Sequence, residues 1–108
     1  MDLFFSDAKF ARKCADEKTM RRSFGNERAV KLAQRIQQFR SVDSLDEMRS
    51  LPGNLHELIG DRKGLLAISL DGPFRLLIEP DEWVEDKDGR LDWTRVKSIV
   101  IDSIIDYH

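Results

Sequence analysis

The hydrophobic pattern of this chain changes from helical to strand-like at Pro52-Gly53-Asn54, and that change limits the folds open to it. Before the turn, past a short apolar start at Leu3-Phe4-Phe5, apolar residues recur at helical spacing. After it they come in short runs of Val, Ile and Leu, broken by Gly, Pro and Asp. Helices gathered first and strands after predict an α+β fold, with a helical pair on one face of a mainly antiparallel sheet.

The elements follow from the same pattern. Leu3-Phe4-Phe5 reads as a short first strand. Ser6 and Asp7 start a helix in which Phe10, Ala11, Cys14 and Ala15 recur at helical spacing; the periodicity weakens after Lys18 and breaks at Gly25. Asn26 is a good cap for a second helix to about Phe39, with Ala29, Val30, Ala33, Ile36 and Phe39 on one face and Lys31, Arg35 and Gln38 outside. Ser44-Leu45-Asp46-Glu47 matches a capping box and predicts a short helix over 45–50. Leu55-His56-Glu57-Leu58 reads as a short strand, and Gly60 to Gly64 as a polar turn. Leu65–Leu70 and Phe74–Ile78 form a hairpin about Asp71-Gly72-Pro73. Pro80–Trp93 is acidic and turn-rich, a loop with room for a helical turn, and Val96–Ile105 is a long final strand. There is no repeat or linker, so residues 1–108 are read as a single domain.

Composition narrows the setting. A hydrophobic content of 41% with 35% charged residues describes a soluble globular protein, and no apolar run is long enough to cross a bilayer. One cysteine, Cys14, cannot form an intramolecular disulfide; with no signal-peptide pattern at Met1-Asp2-Leu3-Phe4-Phe5, a cytoplasmic location is expected. The helical spacing of Cys14 from Phe10 places it in the core. The net charge is −2, but residues 1–40 carry ten Lys and Arg against five Asp and Glu, whereas residues 78–108 carry four against nine. Solvated helix faces explain such asymmetry, and so does a polyanionic or oppositely charged partner.

The residues able to do chemistry are few. His56 and His108 are the only histidines; no His-Cys spacing predicts a metal site, and no nucleophile triad or phosphate-binding loop is present. What remains is an acid–base set of His56, Asp106, Tyr107 and His108, with Arg75, Arg62 and Lys63 as anion binders. Imidazole titrates near neutrality and suits proton transfer, while guanidinium suits a phosphate gaining charge. A structural role is the more usual one for such residues taken singly: a strand histidine is commonly structural or solvated, and Arg75 can pair with Asp71 or Glu79. Trp83 and Trp93 bracket the acidic loop as clamps, or as rings on which bases stack.

Three separated motifs, Asn54 to Gly64, Pro73-Phe74-Arg75-Leu76 and Asp106-Tyr107-His108, together resemble the HigB-type toxins of the RelE/ParE toxin–antitoxin superfamily, the plasmid maintenance system killer proteins. The resemblance covers essentially the whole chain. It implies a RelE/ParE-like fold, with the helical pair on a curved sheet, and a ribosome-dependent endoribonuclease that cleaves translated messenger RNA without metal or other cofactor. By position, His56, Asp106, Tyr107 and His108 would form the acid–base set and Arg75 would hold the scissile phosphate; which histidine is the base stays open. Arg21, Arg22 and Arg28 of the basic segment, with Arg62 and Lys63, would contact RNA. Implied partners are a helix-turn-helix (HigA-like) antitoxin and the ribosome with its messenger, operator DNA being met only through the antitoxin complex and no membrane being involved. Two positions depart from the family pattern: Ile59 stands where relatives commonly have lysine, and Leu66 where they often have an aromatic residue. A catalytically inert co-repressor of the antitoxin, and a ParE-like inhibitor of DNA gyrase, are the alternative readings.

Overall fold

The computed structural model describes residues 1–107. The fold is α+β: a five-stranded sheet of order β1-β5-β4-β3-β2, with helices α1–α3 on one face. The strands are β1 (Asp2–Phe5), β2 (His56–Glu57), β3 (Leu66–Ser69), β4 (Phe74–Pro80) and β5 (Ser98–Asp106). β1 pairs with β5 in parallel, and the other three pairings are antiparallel.

Ahead of Gly25 the chain forms two helices where periodicity suggested one: α1 (Ala8–Lys13) and α2 (Glu17–Phe24). The cause is a second cap. Asp16 takes an extended backbone, and its carboxylate accepts from Thr19 N at 2.7 Å, as Asp7 accepts from Lys9 N at 2.8 Å. Gly25, at φ 85°, ends α2 and caps α3 (Asn26–Ser41), so Asn26 is the first helical residue and not the cap.

On α3 the buried stripe is Ala29, Leu32, Ile36 and Phe39. Two expected placements are reversed. Val30 is 54% exposed and Arg35 only 6%. At about 100° per residue Arg35 lies about 40° from Phe39 around the helix, whereas Val30 lies about 180° away. The buried guanidinium is satisfied by carbonyls below it: Nε donates to Ser69 O at 2.7 Å and Nη1 to Pro52 O at 3.4 Å. Room for this contact depends on Gly53, at φ 118°. A Cβ there would come within 2.6 Å of Ile68 Cγ1 and 3.2 Å of Arg35 Cζ.

The capping box forms as its sequence predicts. Glu47 accepts from Ser44 N at 3.1 Å and starts a 3-10 helix, Leu45–Ser50, whose Leu45 and Met48 are buried. The hairpin turns at Asp71-Gly72-Pro73, closed by bonds between Leu70 N and Phe74 O and between Phe74 N and Asp71 O, each 3.0 Å. In the acidic loop, Glu85 and Leu91 bridge across a turn at Asp86–Gly89, and a 3-10 turn at Trp93–Arg95 leads into β5.

The main core lies between the sheet and the helices and includes Leu66, Ile68, Leu76, Ile78, Ile99 and Ile101. A smaller cluster, Leu58, Ala67 and Leu77 with Leu65 and Ile105 against it, lies on the opposite face. No helix among the described residues is long and apolar enough to cross a membrane.

Candidate functional site

Pairing register decides which side chains share the face away from the helices. His56 stands opposite Ala67, Ala67 opposite Leu77, and Leu77 opposite Ser103. This row faces away from the main core. Two residues along, Arg75 pairs with Ile105 on the same face. Between Leu77 and Ile78 the register slips by one residue on β5, leaving Asp102 as a bulge. Beyond it Ile104 turns to the helices, while Ser103, Ile105 and then Tyr107 turn to the open face. His56, Arg75 and Tyr107 therefore come from three separate segments onto one surface.

The turn that divides the sequence also sets His56. Asn54 has φ 53°, a left-handed conformation that asparagine tolerates, and its carbonyl lies 2.9 Å from His56 Nδ1. A carbonyl only accepts, so Nδ1 carries the proton and the neutral ring keeps its lone pair on Nε2. His56 belongs to a two-residue strand, too short to hold itself. The neighbouring Glu57 anchors it on the other face, accepting from Trp93 Nε1 at 3.0 Å, and the guanidinium of Arg49 lies 3.9 Å over the Trp93 ring.

His56, Arg62 and Tyr107 line one depression of about 490 Å³, together with Ile59 and Asp61. Arg75 is reached through the tyrosine, its Cζ lying 5.9 Å from the Tyr107 ring centroid. Arg75 Nη1 donates to Gly72 O and Phe74 O, each at 2.9 Å, and makes no ion pair among the described residues. Asp71 pairs instead with Arg28, whose Nε is 3.2 Å from its Oδ1 and whose guanidinium lies 3.3 Å over Phe74.

Other sequence candidates are placed elsewhere. Asp106 pairs with Phe74, which puts it on the helical side of β5. Arg21 and Arg22 are exposed on α2, in the helical layer, with Arg21 3.7 Å from Glu17. Arg28 braces the hairpin tip to α3. Lys63 lines a separate depression beyond Ile59. His108 lies outside the described residues. No group of three or more His, Cys, Asp or Glu able to hold a metal occurs among the described residues.

Comparison with protein-family models, with curated proteins and with solved structures finds no match to this chain. Leu66 and Ile59, the two positions that differ from the pattern the chain resembles, are placed differently. Leu66 is fully buried in the main core, where an aromatic ring could not meet a ligand on the open face. Ile59 is 88% exposed and lines both depressions, so its apolar side chain forms part of the open face.

Sequence reasoning missed the Glu57–Trp93–Arg49 brace and the second depression. An acid in alternation with His56 and a tryptophan in a polar stretch were visible, but nothing local shows that they meet.

Proposed function

We propose that this chain is a HigB-type endoribonuclease of the RelE/ParE kind, the toxin of a toxin–antitoxin pair, cleaving messenger RNA on the ribosome in the cytoplasm. The observation that carries this reading is the placement of His56, Arg62 and Tyr107 in one open depression, with Arg75 against the tyrosine ring. In this reading the ribose 2′-oxygen attacks the adjacent phosphorus and loses its proton to a base. The 5′-oxygen departs and receives a proton from an acid, leaving a 2′,3′-cyclic phosphate and a free 5′-hydroxyl. No protein nucleophile is required. His56, with its lone pair on Nε2, suits the base; the guanidinium groups suit the charge that builds on the phosphate. Asp106 faces the helices and is assigned no proton transfer. The proposed neutralising partner is a small helix-turn-helix protein, through which the complex would meet operator DNA.

Expression of the chain alone, with 5′ ends of messenger RNA mapped with and without ribosomes, tests the reading. New 5′-hydroxyl ends within translated codons are expected, reduced at least a hundredfold, about 3 kcal/mol, in His56→Ala. Intact messages with normal growth would sink it. A second reading, an inert relative acting only through the antitoxin, draws on Ile59 and on the basic helices covering the opposite face of the sheet. It requires antitoxin binding to survive in a chain that cleaves nothing.

A further inference from the structure

Beside the His56 depression, and sharing Glu57, Leu58 and Ile59 with it, lies a second of about 580 Å³. The residues 57–59 form the rim between the two. The far wall comes from the acidic loop and carries Trp83, 44% exposed, together with Arg90 and Leu91; Lys63 approaches from the β2–β3 turn. The indole is held in place, its Nε1 donating to Glu85 at 3.2 Å.

The charges at this depression run against those of the loop that builds it. Lys63 and Arg90 make no ion pair among the described residues. None of the loop's own carboxylates lines the depression, and the one acid that does, Glu57, has its carboxylate bonded to Trp93. Asp86 is turned inward, accepting from the backbone N–H groups of Asp88 and Arg90 at 2.8 and 3.0 Å. A ring that shares a depression with two unpaired cations, beside the depression of His56, fits a planar base joined to a phosphate.

Resting on the ribonuclease reading, we infer that this depression is a base-stacking subsite for a nucleotide adjoining the one at His56 and Tyr107. Trp83 is the platform, Lys63 and Arg90 contact its phosphates, and Ile59 packs on the sugar or base edge. Single-stranded RNA is the occupant, because a duplex keeps its bases stacked on each other and offers none to the ring.

The test uses the full chain and an uncleavable 2′-O-methyl hexaribonucleotide of alternating adenosine and uridine. The chain has two tryptophans, and Trp93 is 5% exposed, so quenching of fluorescence reports Trp83. Quenching is expected on titration, with binding by labelled hexamer anisotropy about tenfold or more weaker in Trp83→Ala and largely restored in Trp83→Phe. Lys63→Ala and Arg90→Ala should each flatten the salt dependence. If Tyr107→Ala weakens the hexamer while Trp83→Ala binds like wild type, the subsite is overturned and the ribonuclease reading stands. No hexamer binding at millimolar strand overturns the subsite, and the mapped messenger ends then judge the enzyme separately. Quenching by a lysine-rich peptide but not by RNA would assign the ring to a basic protein partner and overturn the inference.

Discussion

At the scale of single residues, the chain spends its one thiol on packing. Cys14 closes α1 against the main core, half-buried, and burial pushes its pKa from 9.0 up to about 11, with Lys13 opposing the shift weakly. The folded chain thus holds the thiol proton more tightly than the unfolded one. Stability from this source is complete below pH 9 and lost as pH rises through about 11. Unfolding free energy measured by denaturant between pH 8 and pH 11 should fall more steeply in wild type than in Cys14→Ala; parallel curves would refute the assignment. Alkylation by iodoacetamide at pH 8 should be slow, with about a thousandth of the thiol ionised. Arg35 is a second group whose setting departs from its residue type. A cation is expected in water, which on sequence alone puts Arg35 outside; the acceptors that let it be buried come from Pro52 and Ser69, which only the folded chain brings beneath it.

At the scale of elements, β5 settles the character of the site through one extra residue. Strict alternation from Ile99 and Ile101 would carry Ser103, Ile105 and Tyr107 toward the helices and put Asp106 on the open face. The bulge at Asp102 reverses this. It is held on both sides: the Ser6 hydroxyl donates to Asp102 O at 3.2 Å, and the Ser103 hydroxyl to its carboxylate at 3.0 Å. Deleting Asp102 leaves Ile101 opposite Ile78 and Ser103 opposite Leu77, a regular ladder with the same facing. Such a variant should fold with a loss below about 1.5 kcal/mol and keep whatever activity the wild type shows. Deleting Val100 instead brings Asp102 opposite Ile78, into the core, at a cost above about 4 kcal/mol. Chemical denaturation of both variants checks this; equal losses would mean that the bulge shapes the sheet in some way other than facing.

At the scale of the whole molecule, the sheet separates two surfaces of different character. Helices carrying the basic N-terminal segment cover one face, and the other holds His56, Arg62 and Tyr107. In the proposed reading, an RNA bound in the depression lies on the face of the sheet away from Arg21 and Arg22. Reversing both to Glu should leave hexamer binding within twofold of wild type, whereas Arg62→Ala should weaken it severalfold and lower the salt slope by about 0.7. Weaker co-sedimentation with ribosomes in the double reversal would assign the helical face to ribosome contact. Equal loss of hexamer binding in both variants would show that the two surfaces are not separate.

The residues by themselves determined which stretches become helix and strand, because periodicity, caps and turn chemistry act within a few residues: the capping box at Ser44, the hairpin at Asp71-Gly72-Pro73 and the apolar run of β5 all formed where expected. They also singled out His56, Arg75 and Tyr107. What they could not determine was facing. Ile104 and Ile105 are alike to any pattern, and only the fit of β5 against β4, with a bulge between, chose which enters the core. That choice put Tyr107 beside His56 and turned Asp106 away. It was made by packing across the sheet, between segments some fifty residues apart, and a local pattern holds no information about such contacts.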